Sequence, residues 1–93
     1  NEAQIFRLNT SVELDRYLTE INKIQTFIRD DQQIIDLQKE VLIATESQLR
    51  NGIITSSAYI IDLTNLYEAE NMLNTHKIEL LLVKANYKTT KGN

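Results

Sequence analysis

His76 is the only histidine in the chain, and it is the first place to look for chemistry. It shares a seven-residue row with Ala69 and Val83, and Glu79 follows three residues later. A metal site or a proton switch needs further ligands at matching helical spacing, and none is evident around it. It therefore reads as a packed or edge histidine. Asp30-Asp31-Gln32-Gln33 reads as a solvated helix face in preference to the lining of a lumen. Glu68 and Glu70 point in different directions around a helix, so they do not make a paired acid–base site. Tyr59 and Tyr87 fall at the two ends of an apolar row and read as packing residues. The chain has no cysteine, which excludes disulfides and thiolate metal sites. It also has no nucleophile–base arrangement and no phosphate-binding loop. The expectation is a protein that is not an enzyme and carries no cofactor and no metal.

The elements that would hold these residues are helices. There is no proline in 93 residues, and the only glycines are Gly52 and Gly92. Both stand where a helix should end, and neither interrupts a helical stretch. The formal charge is −3, with acids and bases interspersed, so nucleic-acid binding has no electrostatic support. No apolar run approaches the roughly twenty residues a membrane-crossing helix needs, and no signal peptide is visible. The abrupt start in helix-compatible sequence predicts an excised piece of a longer chain.

One stretch divides the chain, Arg50-Asn51-Gly52-Ile53-Ile54-Thr55-Ser56-Ser57. Asn-Gly is its turn dipeptide, because both residues tolerate positive φ. Gly52 ends one helix, and Thr55, Ser56 and Ser57 each offer an oxygen to cap the next. The expected elements are a first helix over about 3–50, a turn over 51–55 and a second helix over about 56–91. Thr10 and Glu13 form a possible capping box inside the first stretch, but the spacing of Ile5 and Leu8 favours a start near Ala3.

Leu14, Ile21, Ile28, Ile35, Leu42 and Leu49 recur every seven residues along the first arm. That repeat is the mark of a coiled-coil seam. The flanking apolar row is Tyr17 and Ile24 near the base, three positions after it. Toward the tip it becomes Phe27, Ile34 and Val41, one position before it. The stripe is thus expected to move around the helix, with Asp31, Gln38 and Thr45 at the positions it leaves and a second packing partner that differs between base and tip. The second arm repeats Tyr59, Leu66, Leu73, Leu80 and Tyr87. Folding the chain about its turn sets Leu49 against Tyr59, Leu42 against Leu66, Ile35 against Leu73, Ile28 against Leu80 and Ile21 against Tyr87. The fold class is therefore all-α, a long antiparallel two-helix coiled-coil hairpin. Residues from Asn1 to about Asp15 have no partner, and Ile53, Ile54, Ile60, Ile61, Leu63, Leu81 and Leu82 lie off the seam. A two-helix seam is poor in core, so self-association into a helical bundle is expected.

The tip and the second arm carry a family resemblance. The stretch Ser47-Gln48-Leu49-Arg50-Asn51-Gly52-Ile53-Ile54-Thr55-Ser56-Ser57-Ala58-Tyr59 resembles the periplasmic hairpin tip of TolC-like outer-membrane efflux proteins. So does the continuation through Asn65-Leu66-Tyr67-Glu68-Ala69-Glu70 to Gly92. The shared pattern is a glycine, two mostly apolar residues and a small hydroxyl residue, here Gly52, Ile53, Ile54 and Thr55. A helix with leucine and alanine at the places of Leu66 and Ala69 follows, ending at a glycine. The resemblance covers about Ser47 to Gly92. The family usually has an acid six positions after the tip glycine, where this chain has Ala58, so a carboxylate ring there is excluded.

The resemblance implies a passive exit duct, a homotrimer in the full-length parent that inserts in the outer membrane. Its helical tips meet a periplasmic adaptor protein, and through it an inner-membrane transporter. On that reading this chain is one periplasmic hairpin, leaning to the second of the family's two. Gly52, Ile53, Ile54, Thr55 and Ser56 would be its adaptor-docking residues. Two other readings fit the same residues: a structural coiled-coil spacer without a transport role, or the hairpin of a periplasmic adaptor.

Overall fold

The computed structural model describes residues 1–92, and they form two helices and nothing else regular. Helix α1 runs Glu2–Arg50 and helix α2 runs Ser56–Thr90. They lie side by side as an antiparallel hairpin measuring 75 × 17 × 14 Å. At 1.5 Å per residue, a helix of 49 residues is about 74 Å long, so α1 alone sets the length of the molecule. Such a helix needs an uninterrupted supply of residues that tolerate the helical backbone, and no proline or glycine falls inside either element.

The start of α1 is capped by Asn1, whose side chain accepts from the Gln4 backbone N–H at 3.0 Å. Thr10 lies inside the helix, so the Thr10–Glu13 pair marks no start. At the far end, Gly92 takes φ 97 just after α2, and its N–H reaches the Thr89 carbonyl at 3.3 Å.

The core is a thin strip along the hairpin. Ile35, Leu66 and Leu73 form its centre, and Ile28, Leu42 and Ala69 pack against them. Every member of the row from Leu14 to Leu49 is buried or half-buried, as is every member of the row from Tyr59 to Tyr87.

The flank of α1 that α2 covers does not shift with the apolar stripe. Phe27, Ile34 and Val41 are 37%, 47% and 44% exposed. The row beginning at Tyr17 and Ile24 instead continues without a break through Asp31, Gln38 and Thr45. Asp31 and Thr45 are among the most buried residues of the molecule, at 7% and 5%. The reason is geometric. Two helices in a left-handed seam meet only along alternating three- and four-residue steps. The row that keeps this pattern stays inside whatever its side chains are, provided the opposite helix satisfies them. Asp31 is therefore not part of a solvated face, although its neighbours Asp30, Gln32 and Gln33 are exposed.

At the base, α1 runs on past the end of α2, which has only 35 residues. Of residues 1–13 only Thr10 is half-buried; the rest are exposed, Ile5, Phe6, Leu8 and Val12 among them. No helix among the described residues is long and apolar enough to cross a membrane.

Candidate partner-binding tip and the polar seam behind it

The turn is built by two complementary caps. The last carbonyls of α1 would otherwise lack donors. Gly52 takes φ 70, and its N–H donates to the Leu49 carbonyl at 3.1 Å. The Ile53 N–H then donates to the Gln48 carbonyl at 2.9 Å. This pair of bonds is the Schellman motif, and it requires a residue that accepts positive φ. On the other side of the turn Thr55 is the N-cap of α2, with φ −87 and ψ 161. Its hydroxyl accepts from the Ala58 N–H at 3.2 Å. Ala58 has no side chain to return the bond, so the cap is one-sided.

No atom lies within 4 Å of where a Cβ on Gly52 would stand, so its role is conformational. Gly52→Ala should destabilise the hairpin by about 1 kcal/mol, because alanine must adopt positive φ without any compensating contact. Chemical denaturation of the two proteins measures the difference.

The five residues proposed for docking do come together, but they divide into two groups. Gly52 and Thr55 shape the turn. Ser56 is the exposed first residue of α2. Ile54 is half-buried in the turn, while Ile53 is 69% exposed. The residue at the place of Ile53 in a Schellman motif usually folds back onto an apolar side chain one turn earlier. Here that place holds Gln48 and Ser47, so Ile53 has nothing apolar to cover it. Ile60 and Ile61, just below on α2, are exposed as well.

Behind the tip, the seam holds two polar pairs that a count of apolar residues alone leaves outside it. Thr45 Oγ1 lies 2.6 Å from Asp62 Oδ2 and 2.8 Å from the Val41 carbonyl. A hydroxyl has one proton, and the charged carboxylate is the stronger acceptor. Two heptads toward the base, His76 Nδ1 meets Asp31 Oδ2. An ionised carboxylate can only accept, so the imidazole donates. The Phe27 ring covers the imidazole, with centroids 5.2 Å apart, and Lys23 Nζ stands 5.7 Å from the centre of that ring. His76 is thus a packed histidine with one specific partner. Every buried side-chain nitrogen or oxygen among the described residues has a hydrogen-bond partner.

Nearer the tip, the Tyr59 hydroxyl donates to Glu46 at 3.3 Å. Loss of hydration raises the phenol above its ordinary pKa, and the Glu46 charge and hydrogen bond add to this. Asp62, the acid nearest to the missing one at Ala58, is half-buried and committed to Thr45.

No group of three or more histidine, cysteine or acidic side chains among the described residues is arranged to hold a metal ion. Comparison with protein-family models, curated proteins and solved structures found no match for this chain.

Proposed function

We propose that the chain is a periplasmic α-barrel hairpin of a TolC-like outer-membrane efflux duct, and that its tip docks a periplasmic adaptor. The observation that carries the reading is the uncovered Ile53 at a turn whose geometry is otherwise closed by hydrogen bonds. Exposed Ile60 and Ile61 follow just below it on α2, so the tip offers several apolar side chains, and grouped apolar exposure marks contact surfaces where a single exposed residue is ordinary. In this role Gly52 and Thr55 hold the turn, Ile53 and Ile54 supply apolar contact, and Ser56 offers a hydroxyl at its edge. The family in this reading rests on the resemblance of the sequence from Ser47 to Gly92.

The partners on this reading are the adaptor, through it an inner-membrane transporter, and two further copies of the parent chain. The hairpin would sit in the periplasmic part of an outer-membrane protein. It conducts nothing alone, because a duct needs neighbouring hairpins and a barrel. Its exposed base and off-seam isoleucines and leucines also fit self-association of the isolated chain.

The test places Gly52→Trp and Ile54→Asp separately in the parent chain of a drug-exporting strain. The first adds bulk where the turn is open, and the second puts a charge into an apolar contact. Export should be abolished by each, with trimer assembly and outer-membrane abundance unchanged. Normal export at normal abundance from both variants would reduce the tip to a turn and leave the spacer reading in its place.

A further inference from the structure

The two rows of the seam differ in how much they specify. The apolar row is repetitive: α1 offers only leucine and isoleucine, and α2 offers three leucines between Tyr59 and Tyr87. If α2 slid along α1 by one heptad, leucine or isoleucine would still meet leucine in most layers. Such a step is about 10 Å, seven residues at 1.5 Å each. The row beside it has no such tolerance. Asp31 faces His76 and Thr45 faces Asp62, and both pairs are two heptads apart on their own helices. One heptad of slip brings Asp31 opposite Ala69 in one direction and opposite Val83 in the other. In both cases a carboxylate that is 7% exposed loses its donor. In the first direction Asp62 moves opposite Gln38. In the second it is carried up to the turn.

The turn also resists a slip, since a heptad of sliding moves the bend half a heptad along the chain. The bend would leave Gly52 and Thr55 and fall near Arg50 or Ser57. That loses the positive-φ glycine and one cap, which is a smaller penalty than an unpaired buried carboxylate. Polar residues inside coiled coils are the best attested selectors of register for the same reason.

We propose that Asp31–His76 and Thr45–Asp62 form a register lock, holding α1 and α2 in one of several heptad alignments that the apolar row alone would accept. The lock fixes how far the tip stands from the base of α1. Its removal turns the hairpin into a set of alignments that interconvert by sliding.

The chain has no cysteine of its own, so introduced pairs report alignment cleanly. Cysteines at positions 42 and 66 report the observed alignment, and pairs at 42 and 59 or 42 and 73 report the two slipped ones. In the observed alignment each slipped pair is separated along the axis by about one heptad, beyond the roughly 7 Å Cα limit of a disulfide. Crosslinking in a thiol–disulfide buffer at low protein concentration, read by gel mobility, gives the population of each. With the native seam, the 42/66 pair should crosslink at least about tenfold more than either slipped pair. In a chain carrying Asp31→Leu, His76→Leu, Thr45→Val and Asp62→Leu, the slipped pairs should rise to within about threefold of it at unchanged helicity. If that chain loses helicity, Asp31→His alone decides, since it sets two imidazoles face to face and should release slipped crosslinks. Asp31→His with His76→Asp should restore the native preference. Exclusive 42/66 crosslinking in the four-fold variant, or in Asp31→His when the four-fold variant is unfolded, would assign register to the turn and overturn the lock. So would ready slipped crosslinking with the native seam.

Discussion

His76→Ala should destabilise the hairpin by about 3 kcal/mol, the lower end of what leaving a buried carboxylate without its hydrogen-bond donor costs. The lower end applies because His76 retains 17% of its side-chain exposure and water can partly rehydrate the site. In a chain of this size that loss lowers Tm by more than about 10 °C. The effect comes mainly from the residue left behind. Asp31 stays in the seam with 9% of its side chain exposed and no donor. The control separates this from lost packing. Replacing both residues, Asp31→Leu with His76→Leu, removes the orphan along with the pair and should be neutral or stabilising. His76→Leu alone keeps apolar volume against Phe27 but still strands the carboxylate, and should resemble His76→Ala. Thermal melts by circular dichroism on the four proteins give the comparison. A His76→Ala chain within about 0.5 kcal/mol of the parent would mean that the pair is solvated in solution and that Asp31 is not buried.

The hairpin was largely legible before the structure because its causes are local or periodic. Asn51-Gly52 and Thr55 announce their turn by backbone preference alone. Two seven-residue rows that share one alignment announce the antiparallel pairing. Between Ile24 and the tip a count of apolar residues departs from the inner row for an equally physical reason. Counting apolar residues follows Phe27, Ile34 and Val41, which are exposed, and drops Asp31 and Thr45, which are buried. Whether a polar residue is tolerated inside depends on what the other helix places opposite it, and one helix's pattern carries no such information. A signal was present across the two arms. Folding the chain so that Ile35 meets Leu73 brings Asp31 opposite His76 and Thr45 opposite Asp62, two complementary polar pairs at once. The tip behaves differently. The structure brings its five residues into one turn, and of the three outside the capping pair Ile53 and Ser56 are exposed and Ile54 is half-buried. Exposure of that kind shows where contact is available, and the identity of the contact rests on the resemblance of the tip sequence.

Ile35→Ala should cost about 3 kcal/mol, while Ile34→Ala, one residue away and of the same type, should cost less than about 0.5. Ile35 is the most buried apolar residue of the molecule at 3%, packed with Leu66 and Leu73 at the centre of the strip. Truncating it opens a cavity between two helices that cannot close without disturbing the layers above and below. Ile34 lies on the lip of a groove with Gln38, Ala69 and Met72, where truncation removes contact mostly with water. The contrast separates the seam of the structure from the one that apolar counting predicts, since in the latter Ile34 is an inner residue. It also reports on assembly. If copies of the chain pack against this flank, Ile34 is covered in the assembly and its truncation becomes costly. The cost would then grow with protein concentration, because stability that depends on association follows mass action. Urea titrations at low and high micromolar concentration, with sedimentation at both, distinguish the cases. A small, concentration-independent effect of Ile34→Ala beside a large one of Ile35→Ala is the result expected if this flank stays open, whether or not copies meet through the base or the off-seam residues. A cost at Ile34 that rises with concentration, together with a sedimenting dimer or larger species, would place a second copy on that flank. Equal and concentration-independent costs at both positions would contradict the seam itself.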